Sequence, residues 1–151
     1  MSAARRTALL DVNLLIALFD PDHVHHEIAH DWFADHRDRG WATCSLTENG
    51  FLRAAAVLPR SRQLVTVPML ADNLRTFRSS GHHEFWTDDL SVLDDRLFNA
   101  EQIRGHQQIA GVYLLGLAVK HKGLLATLDQ RIPLAAVKGA TRESLEVIAP
   151  A

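Results

Sequence analysis

The sequence predicts one α/β domain built on a mainly parallel sheet, and three observations carry that prediction. Thr7-Ala8-Leu9-Leu10 is an apolar run that ends on Asp11 and passes through Val12-Asn13 into a second apolar stretch, Leu14-Leu15-Ile16-Ala17-Leu18-Phe19. Its first half reads as a buried strand and its second as a helix, with Asp11 at the junction. Leu124-Leu125-Ala126-Thr127-Leu128-Asp129 repeats the theme of an apolar strand ending in aspartate. Elsewhere, short apolar runs alternate with segments of helical period, the pattern of βαβ units. At 151 residues the chain fits one domain with a real core, and 47% apolar with 23% charged residues is a globular balance.

Asp20-Pro21 breaks the first helix, because proline disfavours helical geometry in the residue before it. From Val24 the pattern is helical again: Val24, Ile28 and Trp32 recur with Ala29 and Phe33 beside them, and Gly40 supplies a C-terminal stop. Trp41-Ala42-Thr43-Cys44 is short enough for a second strand. The helix opening at Ser45-Leu46-Thr47-Glu48 carries Phe51, Leu52, Ala55 and Ala56 and ends before Pro59. Arg60-Ser61-Arg62-Gln63 reads as a solvated basic loop. Thr66 and Pro68 suit the N-cap and first turn of a helix bearing Leu70, Leu74 and Phe77, which Ser79-Ser80-Gly81 ends. His83-Glu84-Phe85-Trp86 is a third strand. Thr87-Asp88-Asp89 then caps a short helix containing Leu90 and Leu93, where the acids favour the dipole. From Gln107 to Lys122 the chain is apolar almost all round, which predicts a buried helix, stopped by Gly123. Leu145-Glu146-Val147-Ile148 is the last strand. Trp32, Trp41 and Trp86 lie among apolar neighbours and read as core.

Composition narrows the function classes. A formal charge of −2 gives no general basic signal for nucleic acid, although 16 Lys and Arg leave room for a local patch. Arg53, Arg60 and Arg62 could line a phosphate path. The single cysteine, Cys44, cannot form an intrachain disulfide. Arg5-Arg6 before an apolar stretch imitates a secretory signal, but Asp11 and Asn13 interrupt it and no small-residue cleavage site follows. No run approaches the ~20 apolar residues of a membrane span. A soluble, cytoplasmic protein with no membrane partner is the expectation.

The chemistry is expected where the strands end, since ligands of open α/β sheets bind at the carboxyl ends of the strands. A carboxylate there is expensive to desolvate unless something pairs with it. If the strands leading to Asp11 and Asp129 are neighbours, both carboxylates point into one crevice, and a divalent cation offsets their repulsion. The plain structural account is capping, by Asp11 or Asn13 for the first helix and by Asp129 for a turn. Aspartates at two strand ends favour the functional reading. Glu48 is the third candidate. Ser45-x-x-Glu48 also matches a capping box, in which the glutamate needs only the Ser45 N–H; its place after a second short strand, at the same end of the sheet, argues for the site. His26 and His30 stand four apart, with His23 and His25 upstream, a spacing compatible with zinc. Glu27 is not placed as in a His-Glu-x-x-His motif and no cysteine ligand is close, so a solvated helix face is the simpler account.

Four segments together resemble PIN-domain proteins, and more narrowly the VapC-type toxin ribonucleases of type II toxin–antitoxin systems. They are Leu10-Asp11-Val12-Asn13 with Leu14-Leu15-Ile16-Ala17; Trp41-Ala42-Thr43-Cys44 with Leu46-Thr47-Glu48-Asn49-Gly50-Phe51; Gly105-His106-Gln107-Gln108 with Tyr113-Leu114-Leu115; and Leu125-Ala126-Thr127-Leu128-Asp129. They occur in family order and span almost the whole chain. The resemblance implies a three-layer α/β/α domain and an acidic cluster that binds Mg²⁺ or Mn²⁺ and hydrolyses RNA. It also implies an antitoxin partner and a homodimer. Carried over by position, Asp11, Glu48 and Asp129 are the catalytic, metal-binding acids, with Asn13 and Thr127 supporting. His106, at the start of the buried helix, would orient backbone or a neighbouring group.

One position departs from the family. Its members usually carry an aspartate two residues before Tyr-Leu-Leu, where this chain has Gly111. A glycine inside a helix costs about 1 kcal/mol relative to alanine, and this one also removes a ligand. Weaker metal binding is therefore expected, with waters filling the place or with Asp88, Asp89, Asp94, Asp95 or Glu101 reaching in. The alternative is a PIN-fold binding module whose catalysis is weakened or lost. A phosphatase of the haloacid-dehalogenase type fits less well, since it needs a proton-donating aspartate where Asn13 stands.

Overall fold

The computed structural model describes residues 6–58 and 65–149. The basic loop expected over residues 60–63 lies outside the described residues. Strand β1 (Ala8–Leu10) leads into α1 (Val12–Phe19) and α2 (His26–His36), and β2 (Trp41–Cys44) into α3 (Ser45–Ala56) and α4 (Val67–Arg78). After β3 (His83–Trp86) an irregular stretch precedes α5 (Ile109–Lys120), β4 (Leu124–Thr127) and β5 (Leu145–Val147). The strands form one sheet in the order β3-β2-β1-β4-β5, parallel throughout.

That order explains the layers. From β1 the chain steps outward through β2 to β3, then returns to place β4 on the other side of β1. Right-handed crossovers in opposite directions send their helices to opposite faces. One core cluster accordingly joins the sheet to α1–α4 through Leu10, Leu14, Phe51 and Leu74; the other joins it to α5 through Leu9, Val112, Leu115 and Leu125. Leu9 and Leu10 point to opposite faces and are both fully buried. This is why the opening strand reads as an unbroken apolar run. The expected α/β/α architecture is the one observed.

Local expectations fail where a distant partner intervenes. Helix α2 begins at His26, leaving Val24 86% exposed. The short helix expected around Leu90 and Leu93 is absent, and residues 87–97 run as turns and irregular chain. Asp88 accepts instead from the Leu46 N–H at 3.3 Å and the Tyr113 hydroxyl at 2.8 Å, so it serves the start of α3 and not a helix of its own. His26 Nδ1 and His30 Nε2 lie 2.7 and 2.8 Å from the Ala17 and Leu18 carbonyl oxygens. These rings satisfy carbonyls that the end of α1 leaves without helical partners, which explains the spacing better than zinc or a solvated face. The left-handed residue closing α5 is Lys122, at φ 58°, and not Gly123. Gly123 is needed for close approach, because a Cβ there would lie 2.4 Å from the Thr7 carbonyl oxygen. Among the described residues no helix is long and apolar enough to cross a membrane.

Candidate active site

The chain reverses direction between β1 and β4, and that switch point is where an open parallel sheet opens a crevice at its carboxyl edge. Leu10 pairs with Ala126, and the Asp11 N–H still donates to the Ala126 carbonyl at 3.0 Å. Asp11 and Thr127 therefore leave the sheet side by side. Asp11 is the N-cap of α1, where its Oδ1 accepts the Val12 N–H at 2.7 Å. Its Oδ2 accepts the Thr127 hydroxyl, also at 2.7 Å. The cap of α1 and the bond to Thr127 thus share one carboxylate.

Thr127 is the hub. Its hydroxyl donates to Asp11 while its oxygen accepts from Asn13 Nδ2 at 3.2 Å and from the Asp129 N–H at 3.0 Å. One donor and two lone pairs are all that a hydroxyl has, and all are used. Asn13 Oδ1 accepts the Leu128 N–H at 3.1 Å, tying α1 to the loop after β4. Burial pushes the Asp11 carboxyl above its ordinary range. The hydrogen bonds from Thr127 and Val12 pull it back, and the neighbouring Asp129 charge adds to the rise. Asp129 Oδ1 accepts the Arg131 N–H at 2.9 Å and lies 3.3 Å from its Nε. Asp11, Asn13, Thr127 and Asp129 are brought together.

Glu48 has other partners. Its Oε2 accepts the Thr43 hydroxyl at 2.7 Å and pairs with Arg78 Nη1 at 3.1 Å. Thr43 shares its strand face with Trp41 and the α1–α4 core, whereas Thr127 shares its face with Leu125 and the α5 core. Glu48, in the first turn of α3, and Asp11, at the N-cap of α1, lie at the same edge of the sheet on two helices of one core cluster, but their carboxylates are bonded to different partners. The capping box is displaced too: the Cys44 N–H donates to Thr47 Oγ1 at 2.9 Å, leaving Glu48 out of it. His83 Nε2 lies 2.7 Å from Thr43 Oγ1, and burial, helped by the Arg78 charge and opposed by Glu84, pulls the His83 pKa down to about 4. The ring is neutral near pH 7 and donates to Thr43, whose proton goes to Glu48. Among the described residues no group of three or more His, Cys, Asp or Glu is placed to hold a metal ion.

The place opened by Gly111 is filled by a hydrocarbon. A Cβ there would lie 2.9 Å from both Cδ1 and Cγ1 of Ile132. Of the acids weighed as substitutes, Asp88 is bonded as described above. Asp89 pairs with Lys120 at 2.7 Å, and Asp94 with Arg96 at 3.1 Å. Arg53 is exposed on α3, and Arg60 and Arg62 lie outside the described residues. Sequence reasoning passed over Arg131 and Ile132, although an Asp-x-Arg spacing is within reach of an Asx-type turn. Arg78 carries no such signal, because it is thirty positions from its partner.

Fold and site define a PIN-like α/β/α domain whose oxygen-donor groups converge at the β1–β4 switch point. No protein-family model matches the chain. Among curated proteins it is similar to Ribonuclease VapC44 of Mycobacterium tuberculosis, with 42% identity over 141 residues, 93% of this chain and 99% of that protein. Ribonuclease VapC39 of the same organism is 37% identical over 135 residues, 88% of this chain and 96% of that protein. Ribonuclease VapC38 is 38% identical over 125 residues, 81% and 84%. The chain belongs to the VapC-type PIN-domain toxins, a family of ribonucleases.

Proposed function

We propose that this chain is the toxin of a cytoplasmic toxin–antitoxin pair, acting as a homodimer and as a Mg²⁺- or Mn²⁺-dependent endoribonuclease, with Asp11 and Asp129 as its principal metal-binding acids. The carrying observation is the Asp11–Thr127–Asp129 arrangement at the switch point. Its donor set fits the cation: the Asp11 and Asp129 carboxylate oxygens, with the Asn13 amide oxygen beside them, suit a hard divalent ion, and such an ion relieves the charge that Asp129 imposes on half-buried Asp11. Once bound, the cation supplies Lewis acidity toward a phosphate oxygen and a water of lowered pKa. Asn13 and Thr127 fix the loop that carries Asp129 and the orientation of Asp11. Glu48 is the third acid of this reading, available on release from Arg78. RNA is the substrate and a cognate antitoxin protein the partner, in line with the ribonuclease names of the relatives.

Purified protein incubated with single-stranded RNA is expected to cleave it with Mg²⁺ or Mn²⁺ and to stop when EDTA is added. Cleavage that continues in EDTA overturns the metal reading. Gly111→Asp addresses the weakened site. Ile132 must move to admit the new side chain, and we expect the metal-free variant to lose about 1–3 kcal/mol of stability. Mg²⁺ should then raise its Tm more than the parent's, because the added carboxylate strengthens binding to the folded state alone. Equal shifts in thermal melts count against a site short of one acid.

A further inference from the structure

Asn13, Leu128, Asp129, Gln130 and Arg131 line a shallow pocket of about 450 Å³ beside the carboxylates. Arg131 brings a cation to this otherwise acidic place. Its backbone is pinned twice: the N–H donates to Asp129 Oδ1 at 2.9 Å, and the carbonyl accepts from Gln108 Nε2 at 3.0 Å. The next residue, Ile132, is buried against Gly111. The guanidinium is not pinned in this way. It touches Asp129 only through Nε at 3.3 Å, its side chain is 72% exposed, and its Nη groups have no acceptor among the described residues. An exposed pair of this kind contributes little and opens easily. Guanidinium is also the side-chain group whose planar fork best matches two phosphate oxygens.

We propose that Arg131 is the phosphate clamp of this site, exchanging Asp129 for an RNA phosphate when a divalent cation takes the carboxylates. The inference rests on the metal reading given under Proposed function. Its logic is competitive. The Asp129 carboxylate cannot serve guanidinium and cation equally well, so loading one frees the other within reach of the pocket. Arg131 therefore opposes the metal in the free protein and favours the substrate in the loaded one.

The two halves of that statement have opposite signs in a single variant. Binding of a fluorescein-labelled single-stranded RNA is measured by anisotropy with Ca²⁺ in place of Mg²⁺, with a gel to confirm that the strand stays intact. Mn²⁺ binding without RNA is followed by electron paramagnetic resonance. Arg131→Ala is expected to weaken RNA binding by about 10-fold, the loss of one charge-assisted contact. The same variant should tighten Mn²⁺ binding by about 3-fold. Arg131→Lys, a point charge without the fork, should recover part of the RNA affinity. Asp11→Asn is the control for the metal site. If it loses Mn²⁺ while Arg131→Ala binds RNA like the parent, the clamp is wrong and the metal reading stands. If Asp11→Asn binds Mn²⁺ like the parent, the metal reading fails and takes the exchange with it.

Discussion

Replacing Asp11 by asparagine is expected to cut RNA cleavage by on the order of 10³-fold while leaving the protein as stable as the parent or more so. The first effect follows from removing a carboxylate that holds the cation. The second follows from what that carboxylate costs. Burial and the Asp129 charge raise the Asp11 pKa above its ordinary 3.8. For a carboxyl raised on folding, the favourable contribution is fully present below the ordinary value and is lost as pH rises through the folded-state value. At pH 7 the Asp11 carboxyl therefore weighs against the fold. Asparagine keeps the shape, and its one amide oxygen can cap α1 or accept from Thr127 but not both, so the removal of the charge is set against one lost hydrogen bond of about 1 kcal/mol. Thermal melts in EDTA should show the variant's advantage at pH 7 shrinking toward pH 4. A variant that melts below the parent at pH 7 contradicts the proposed electrostatics, and one that cleaves normally contradicts the site. Function opposing stability at one residue is what a preorganised site predicts.

The second large effect is expected at Thr127. Valine has its shape and lacks its hydroxyl, so Thr127→Val strands three partners together: Asp11 Oδ2, Asn13 Nδ2 and the Asp129 N–H. Leaving buried polar groups unsatisfied should cost about 2–3 kcal/mol of stability. Because Asp129 is positioned from this hydroxyl, the loss should extend to rate, by roughly 10²-fold for a misplacement near 1 Å. Thr127→Ser keeps the hydroxyl and should keep most of both. Urea unfolding and single-turnover cleavage of the two variants read these outcomes separately. If valine behaves like serine, the hub assignment is wrong.

Much of this architecture was legible because it is local. Leu9-Leu10-Asp11 and Leu125-Ala126-Thr127 announce buried parallel strands, since only strands covered on both faces read as unbroken apolar runs. The aspartates that follow are marked by their position at strand ends, and Asn13 and Thr127 as supporting residues by the family resemblance. Glu48 shows the limit. Its place after β2 gives the edge of the sheet but not its partners, which are Thr43 on β2 and Arg78 at the end of α4. Asp88 shows the same thing. A helix start written into Thr87-Asp88-Asp89 lost to Leu46 and Tyr113, which lie far along the chain.

The amino-acid sequence by itself determined where most strands and helices run and which aspartates end strands, because these depend on periodicity and spacing within a few turns of chain. The family resemblance rests on four motifs in order along almost the whole chain. Only the tertiary structure decided that Asp11 and Asp129 share one threonine, that Glu48 is claimed by an arginine, and that Ile132 fills the space beside Gly111. Each is a competition between groups distant in sequence for one hydrogen bond, one charge or one volume, and packing alone sets which partner is near enough to win.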